Sequence, residues 1–186
     1  MAEISTKDRL VKETARLMQI KGYYGTGLKE ILLNSGVPKG SLYHHFPKGK
    51  DSLVVASLQF SSDRMLENYS AAMRGTKSPL AGLSAILDTL ADHLEKSDFQ
   101  LGCPLATVAL ETNSSDSVIR ESLAKMYQHW EDSLTSYLAL KGVSNPQEKA
   151  RLFLTVLEGG LLLSKAHGDS SFLRKLKNDL KILLPG

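Results

Sequence analysis

Residues 28 to 46, LKEILLNSGVPKGSLYHHF, constrain the fold of this chain more tightly than any other stretch. Leu28, Ile31 and Leu32 fall at i, i+3 and i+4, which sets one buried stripe along a helix of about two turns. Gly36 and Pro38 then close that helix: glycine takes the left-handed conformation that ends a helix, and the residue before a proline is pushed out of the helical region. A second helix follows, in which Leu42 and Phe46 face inward and leave Lys39, Gly40, Ser41, Tyr43 and His44 toward its exposed N-terminal side. Two short helices across a tight turn, the second with donors at its start, can place that start in a DNA major groove.

The rest of the chain continues the helical period. Residues 5 to 21 read as a first helix, capped by Ser5 or Thr6 and stopped by Gly22. A long helix is expected from Asp51 to about Arg74, with Leu53, Val54, Leu58, Met65, Leu66 and Tyr69 on its buried sides. The break GTKSP, residues 75 to 79, leads into a helix from Leu80 to about Lys96. Gly102 and Pro104 interrupt the pattern before a short helix, and residues 116 to 141, 146 to 166 and 170 to 184 complete the series. Strand-like alternation persists nowhere, so the expected fold is all-α with about nine helices. The expected organisation is a helix-turn-helix head over residues 1 to 50 and a ligand-binding and dimerisation body over residues 51 to 186.

Charge supports that division. Residues 1 to 50 carry seven Lys and two Arg against three Glu and one Asp, a balance of +5, while the remainder carries 14 basic and 16 acidic residues, a balance of −2. A basic head on a mildly acidic body suits a molecule whose head alone meets phosphates. A single cysteine, Cys103, excludes an internal disulfide framework and a cysteine-rich zinc site, and suits a reducing compartment. The N-terminus MAEISTKDRL lacks the apolar run of a signal peptide, and the apolar clusters around Val156 to Leu163 fall far short of the ~20 residues that span a bilayer. A cytoplasmic protein with no membrane association is expected. Asp88, Asp92, His93 and Glu95 imitate a metal site, but on an amphipathic helix they read as its solvated face. No nucleophile elbow, phosphate loop or HExxH string is present, so neither an enzyme nor a bound metal or cofactor is expected.

The string GVPKGSLYHHF, Gly36 to Phe46, followed by Lys50, Asp51 and Leu53, resembles the signature of TetR-family transcriptional repressors. The segment LGCPLATVALE, Leu101 to Glu111, is similar to the corresponding part of an LmrA-like branch of that family. The resemblance implies a ligand-responsive repressor that binds a palindromic operator in double-stranded DNA as a homodimer and is released by a small aromatic, flavonoid-like effector. Lys39 and Lys50 are mobile charges suited to phosphates, Tyr43 offers a phenolic donor, Gly40 lets the backbone approach the duplex, and Ser41 donates to phosphate or base. Lys29 and His44 occupy positions that the family pattern brings to base edges or neighbouring phosphates. Similar proteins carry a hydroxyl where this chain has Gly27, so the contact there is expected from the Gly27 amide, with Thr26 as the substitute hydroxyl.

The body is expected to hold the effector near Phe60, Phe99, Cys103, Tyr127, His129 and Trp130, since an apolar cavity with a few convergent polar groups is the usual form of a small-molecule site. Two heads at fixed spacing require a two-fold dimer. The last two helices suit that contact, through Leu152, Val156, Gly159, Gly160 and Leu163 on one and Phe172, Leu176 and Leu180 on the other. An intramolecular packing role for the two glycines is the alternative. Three competing readings remain: a helical small-molecule-binding protein without specific DNA readout, a repressor that senses oxidants or electrophiles through Cys103, and a non-specific architectural DNA binder.

Overall fold

The computed structural model describes residues 4–113 and 116–183, and among these the regular structure is entirely α-helical. Nine helices run in order: α1 (Thr6–Lys21), α2 (Leu28–Ser35), α3 (Lys39–His45), α4 (Lys50–Met73), α5 (Pro79–Lys96), α6 (Pro104–Glu111), α7 (Ser117–Leu140), α8 (Pro146–His167) and α9 (Ser171–Leu183). The fold class is the one expected, with helix ends close to the expected ones; Leu184, the last residue expected in α9, lies outside the described residues. No helix among the described residues is long and apolar enough to cross a membrane.

The chain divides into two compact units, one comprising the chain up to Arg64 with Pro104–Met126, the other Met65–Cys103 with Tyr127 onward. The compact head unit is therefore larger than residues 1 to 50, because α6 packs against α1 and joins it. α4 and α7 each contribute residues to both units.

Local chemistry sets the head helices. The Ser5 hydroxyl accepts from the Asp8 amide at 3.1 Å and caps α1, while Gly22, at φ 72° and ψ −175°, ends it. That backbone conformation is open essentially to glycine alone. Gly36 closes α2 at φ 63°, and the Val37 amide reaches back to the Leu32 carbonyl at 3.2 Å. Arg9 of α1 donates to the Ser35 and Gly36 carbonyls, so the turn between α2 and α3 is tied to the first helix. Leu10, Val11 and Leu17 of α1 then share a core with Ile31, Val37, Leu42, Phe46 and Leu53. Apolar burial at these positions fixes how α3 is presented.

In the second unit α5, α8 and α9 pack together, burying Leu83, Ile86, Leu87, Leu90 and Leu94 of α5 against Phe153, Leu157 and Leu161 of α8 and Leu173 and Leu180 of α9. Asp88, Asp92 and Glu95 are the outer seam of this packing: Arg174 of α9 pairs with Asp92 at 3.0 Å and Glu95 at 2.9 Å, and Lys177 pairs with Asp88 at 2.7 Å. These exposed pairs contribute orientation more than stability. Gly160 permits the close approach of α8 and α9, since a Cβ there would lie 2.6 Å from Leu176 Cδ1.

Candidate nucleic-acid interface and effector cavity

α3 offers the solvent a compact set of donors. Lys39, Gly40, Tyr43 and His44 are exposed, Tyr43 at 44 %, and Ser41 is half-buried beside them. A Cβ at Gly27 or Gly40 would meet nothing within 4 Å, so the backbone is open to a close-approaching surface at both places. Gly27 is the N-terminal cap of α2 with no side-chain hydrogen bond, and Lys29 is exposed one residue into that helix. The structure thus brings Gly27, Lys29, Lys39, Gly40, Ser41, Tyr43 and His44 to the accessible parts of the two short helices.

Two expected residues stand differently. Thr26 is completely buried and its hydroxyl donates to the Gly22 carbonyl at 2.7 Å, so it locks the loop after α1 and presents no hydroxyl outward. Lys50 is half-buried: Nζ donates to the Tyr23 carbonyl at 2.7 Å and lies 4.2 Å from the centre of the Tyr23 ring. Desolvation pulls its pKa down, against the smaller upward pull of Asp51 and Glu111. In this conformation the ammonium holds the head together rather than reaching outward.

A polar latch in the same unit went unread in the sequence. The Tyr24 amide donates to Glu111 Oε2 at 2.9 Å, and the Tyr24 hydroxyl donates to Asp116 at 3.3 Å while accepting from Asn113 at 3.0 Å. The Tyr23 hydroxyl donates to Asp51 at 2.9 Å, and burial, reinforced by Asp51, pushes its pKa up to about 12. Residues nearly ninety positions apart meet here, a relation no local pattern encodes.

In the second unit a cavity of about 10 Å³, room for a single water molecule, is lined by residues of α4, α5, α7 and α8 that include Tyr69, Met73, Ile86, Trp130, Ser133 and Phe153. Trp130 stands edge-on to Tyr69 at 6.0 Å and to Tyr127 at 5.5 Å. Of the residues expected at an effector site, Trp130 is on the wall and Tyr127 packs against it. Cys103, 3 % exposed, lies with its sulfur 3.9 Å from the Tyr127 hydroxyl. The other three are elsewhere: Phe60 packs on the head core, His129 is exposed on α7, and Phe99, at φ 57°, sits in the turn that closes α5.

Glu158 and Tyr69 complete this cluster. Burial pushes the Glu158 carboxyl up, while hydrogen bonds from Cys103 and Tyr127 pull it down less strongly. Burial likewise drives the Tyr127 and Tyr69 hydroxyls upward, with the neighbouring Cys103 and Glu158 adding to it. The available signal for Glu158 was a lone carboxylate inside the otherwise apolar run LFLTVLEGGLLL, residues 152 to 163.

The residues expected at a dimer contact divide into two sets. Leu152 and Leu163 are exposed at 49 % and 45 %, and with half-buried Val156 and Gly159 they form one stripe along α8. Phe172 and Leu176 are half-buried on α9. Gly160 and Leu180 turn inward instead: Gly160 packs under Leu176 and Leu173, and Leu180, 1 % exposed, belongs to the core of its own chain. α9 carries apolar residues on more than one side, and the side bearing Leu173 and Leu180 is the one turned inward.

Comparison with known proteins decides the family. Residues 10–56 match the family described as bacterial regulatory proteins, tetR family, and residues 79–179 match the C-terminal domain of LmrA/YxaF-like transcriptional regulators. The chain belongs to the TetR family. It is accordingly a DNA-binding helix-turn-helix transcriptional regulator of the repressor type. The TetR-family chain is 30 % identical, over 96 % of both sequences, to the HTH-type transcriptional regulator LmrA of Bacillus subtilis. Its fold is that of a TetR regulator from Legionella pneumophila, with a TM-score of 0.83 at 23 % identity, covering 97 % of this chain and 98 % of that one. A cysteine mutant of the TetR-family regulator CifR, solved with double-strand operator DNA, shares the fold at a TM-score of 0.81 and 16 % identity, covering 96 % of both chains.

Proposed function

We propose that the protein is an effector-responsive repressor that binds a palindromic operator as a homodimer and releases it when a small aromatic molecule occupies the body. The observation that carries this reading is the outward set on α3: Lys39, Tyr43 and His44 exposed around Gly40, whose Cβ position is open. Lys39 and Lys29 supply phosphate contacts, and Tyr43, Ser41 and His44 supply directional donors. Gly27 contributes its backbone amide. Lys50 takes part by holding the loop after α1 in place through the Tyr23 carbonyl, and Thr26 does the same from inside.

The half-site spacing of an operator supports the dimer, and the stripe Leu152, Val156, Gly159 and Leu163, with Phe172 and Leu176, supplies an apolar face for it. The aromatic cluster around Trp130 supports an aromatic effector, and a flavonoid-like one is what the resemblance of Leu101 to Glu111 to the LmrA-like branch implies. Effector binding in the body shifts α4, which contributes to both units, and respaces the two heads. An electrophoretic shift of the region upstream of the protein's own gene, repeated with a panel of aromatic compounds, tests the reading. Retarded DNA that one class of compound releases is the expected result, and no selective retardation overturns it. Unchanged distances between spin labels on the two heads upon release would sink the respacing account.

A further inference from the structure

Lys48 lies exposed in the connection between α3 and α4, and among the described residues no group pairs with it. The polar side chains that follow it at the start of α4 are all engaged by the chain itself. Lys50 Nζ donates to the Tyr23 carbonyl at 2.7 Å and lies over the Tyr23 ring, Asp51 accepts from the Tyr23 hydroxyl at 2.9 Å, and the Ser52 hydroxyl donates to the Gly49 carbonyl at 3.0 Å. Moving the Lys50 ammonium to a DNA phosphate would break a charge-assisted hydrogen bond and a cation–π contact at once. The solvated Lys48 ammonium gives up only water. The connection itself is set against the outward side of α3. Gly49, at φ 72°, turns the chain, its amide donates to the Phe46 carbonyl at 2.8 Å, and a Cβ there would lie 3.9 Å from the Tyr43 ring. Lys48 is therefore carried beside Tyr43, an exposed donor of α3.

We infer that Lys48 supplies the phosphate contact at the α3–α4 turn, while Lys50 stays on the Tyr23 carbonyl. A lysine on a flexible stem serves a backbone phosphate as a point charge and reads no base. The contact adds affinity to any duplex and releases about one counterion. The inference rests on the reading of the outward side of α3 as the surface that meets the operator.

Fluorescence anisotropy of the full chain across a salt series, with the upstream duplex and with a scrambled one, tests it. Lys48→Ala should lower the slope of log affinity against log salt by about one on both duplexes, and Lys48→Arg should keep it. Lys50→Gln, whose amide can still donate to the Tyr23 carbonyl, should keep the parent slope, with Lys50→Met as a second uncharged variant. Lys125→Ala removes the same charge from an exposed position on α7 and should also keep the slope. Thermal unfolding checks each variant, and Lys48→Ala, in an exposed turn, disturbs no buried contact, so that arm reads on a folded chain. A parent slope in Lys48→Ala, an equal loss in Lys125→Ala, or a slope lowered by about one in a folded Lys50 variant overturns the inference. The two readings fail separately. If Lys39→Ala lowers the slope and Lys48→Ala does not, the Lys48 contact fails and the α3 reading stands. If the parent binds both duplexes alike, the selective-operator reading fails, and the slope on either duplex still decides for or against Lys48.

Discussion

At the scale of single residues, Glu158 and Gly22 carry the sharpest consequences. The Glu158 carboxyl is held above its ordinary value of 4.5, chiefly by desolvation, so the folded chain binds its proton more tightly than the unfolded chain does. The stability this group contributes is full below pH 4.5 and is lost as the pH rises through the raised folded value. Glu158→Gln cannot titrate, and the fall in urea-unfolding stability from mildly acid to mildly alkaline pH should be shallower in the variant than in the parent. Parallel profiles would show that the buried carboxyl does not set this dependence. Gly22 occupies a backbone region that other residues avoid, and a Cβ there would sit 1.7 Å from Glu111 Oε1. Gly22→Ala should cost about 1–3 kcal/mol in chemical unfolding, whereas Gly27→Ala, with open space around it, should leave stability nearly unchanged.

Among the helices, the joint between α1 and α6 holds the head unit together through Tyr24. Glu111→Ala removes the acceptor of the Tyr24 amide, and hydrogen exchange at that amide should quicken by about tenfold, the loss of a typical hydrogen bond. Unchanged exchange would mean that packing alone secures the joint. α3 is expected to act through its exposed edge, so Lys39→Ala should weaken binding about equally on all duplexes and lower the salt slope by about one, as loss of a phosphate contact does. How these elements could be read beforehand depended on where their determinants lie. Helix ends were legible because Ser5, Gly22, Gly36 and Pro38 act on their own turn. The outward side of α3 was legible because Leu42 and Phe46 define its inward side. Thr26 and Lys50 were not, because each is claimed by a carbonyl of the preceding loop, at Gly22 and Tyr23. Leu180 faced the same limit: period marks apolar sides of α9, but which side meets α5 and α8 is decided by the whole unit. The influence of the Glu158 carboxyl on the Tyr69 hydroxyl relates α4 to α8 and leaves no trace in either helix alone.

For the molecule as a whole, the account requires two copies acting together. Leu163→Asp places a charge in the exposed α8 stripe, clear of the buried core, and should shift sedimentation from dimer to monomer while the helical content stays constant. A dimer that survives this substitution would place the interface elsewhere. The central claim is selective DNA readout by the head, and the most direct measurement is fluorescence anisotropy of the purified protein with duplexes tiling the region upstream of its gene, against a scrambled duplex at the same salt. The account predicts one palindromic segment bound at least about a thousandfold tighter than the scrambled control. Equal affinity for every duplex would contradict it.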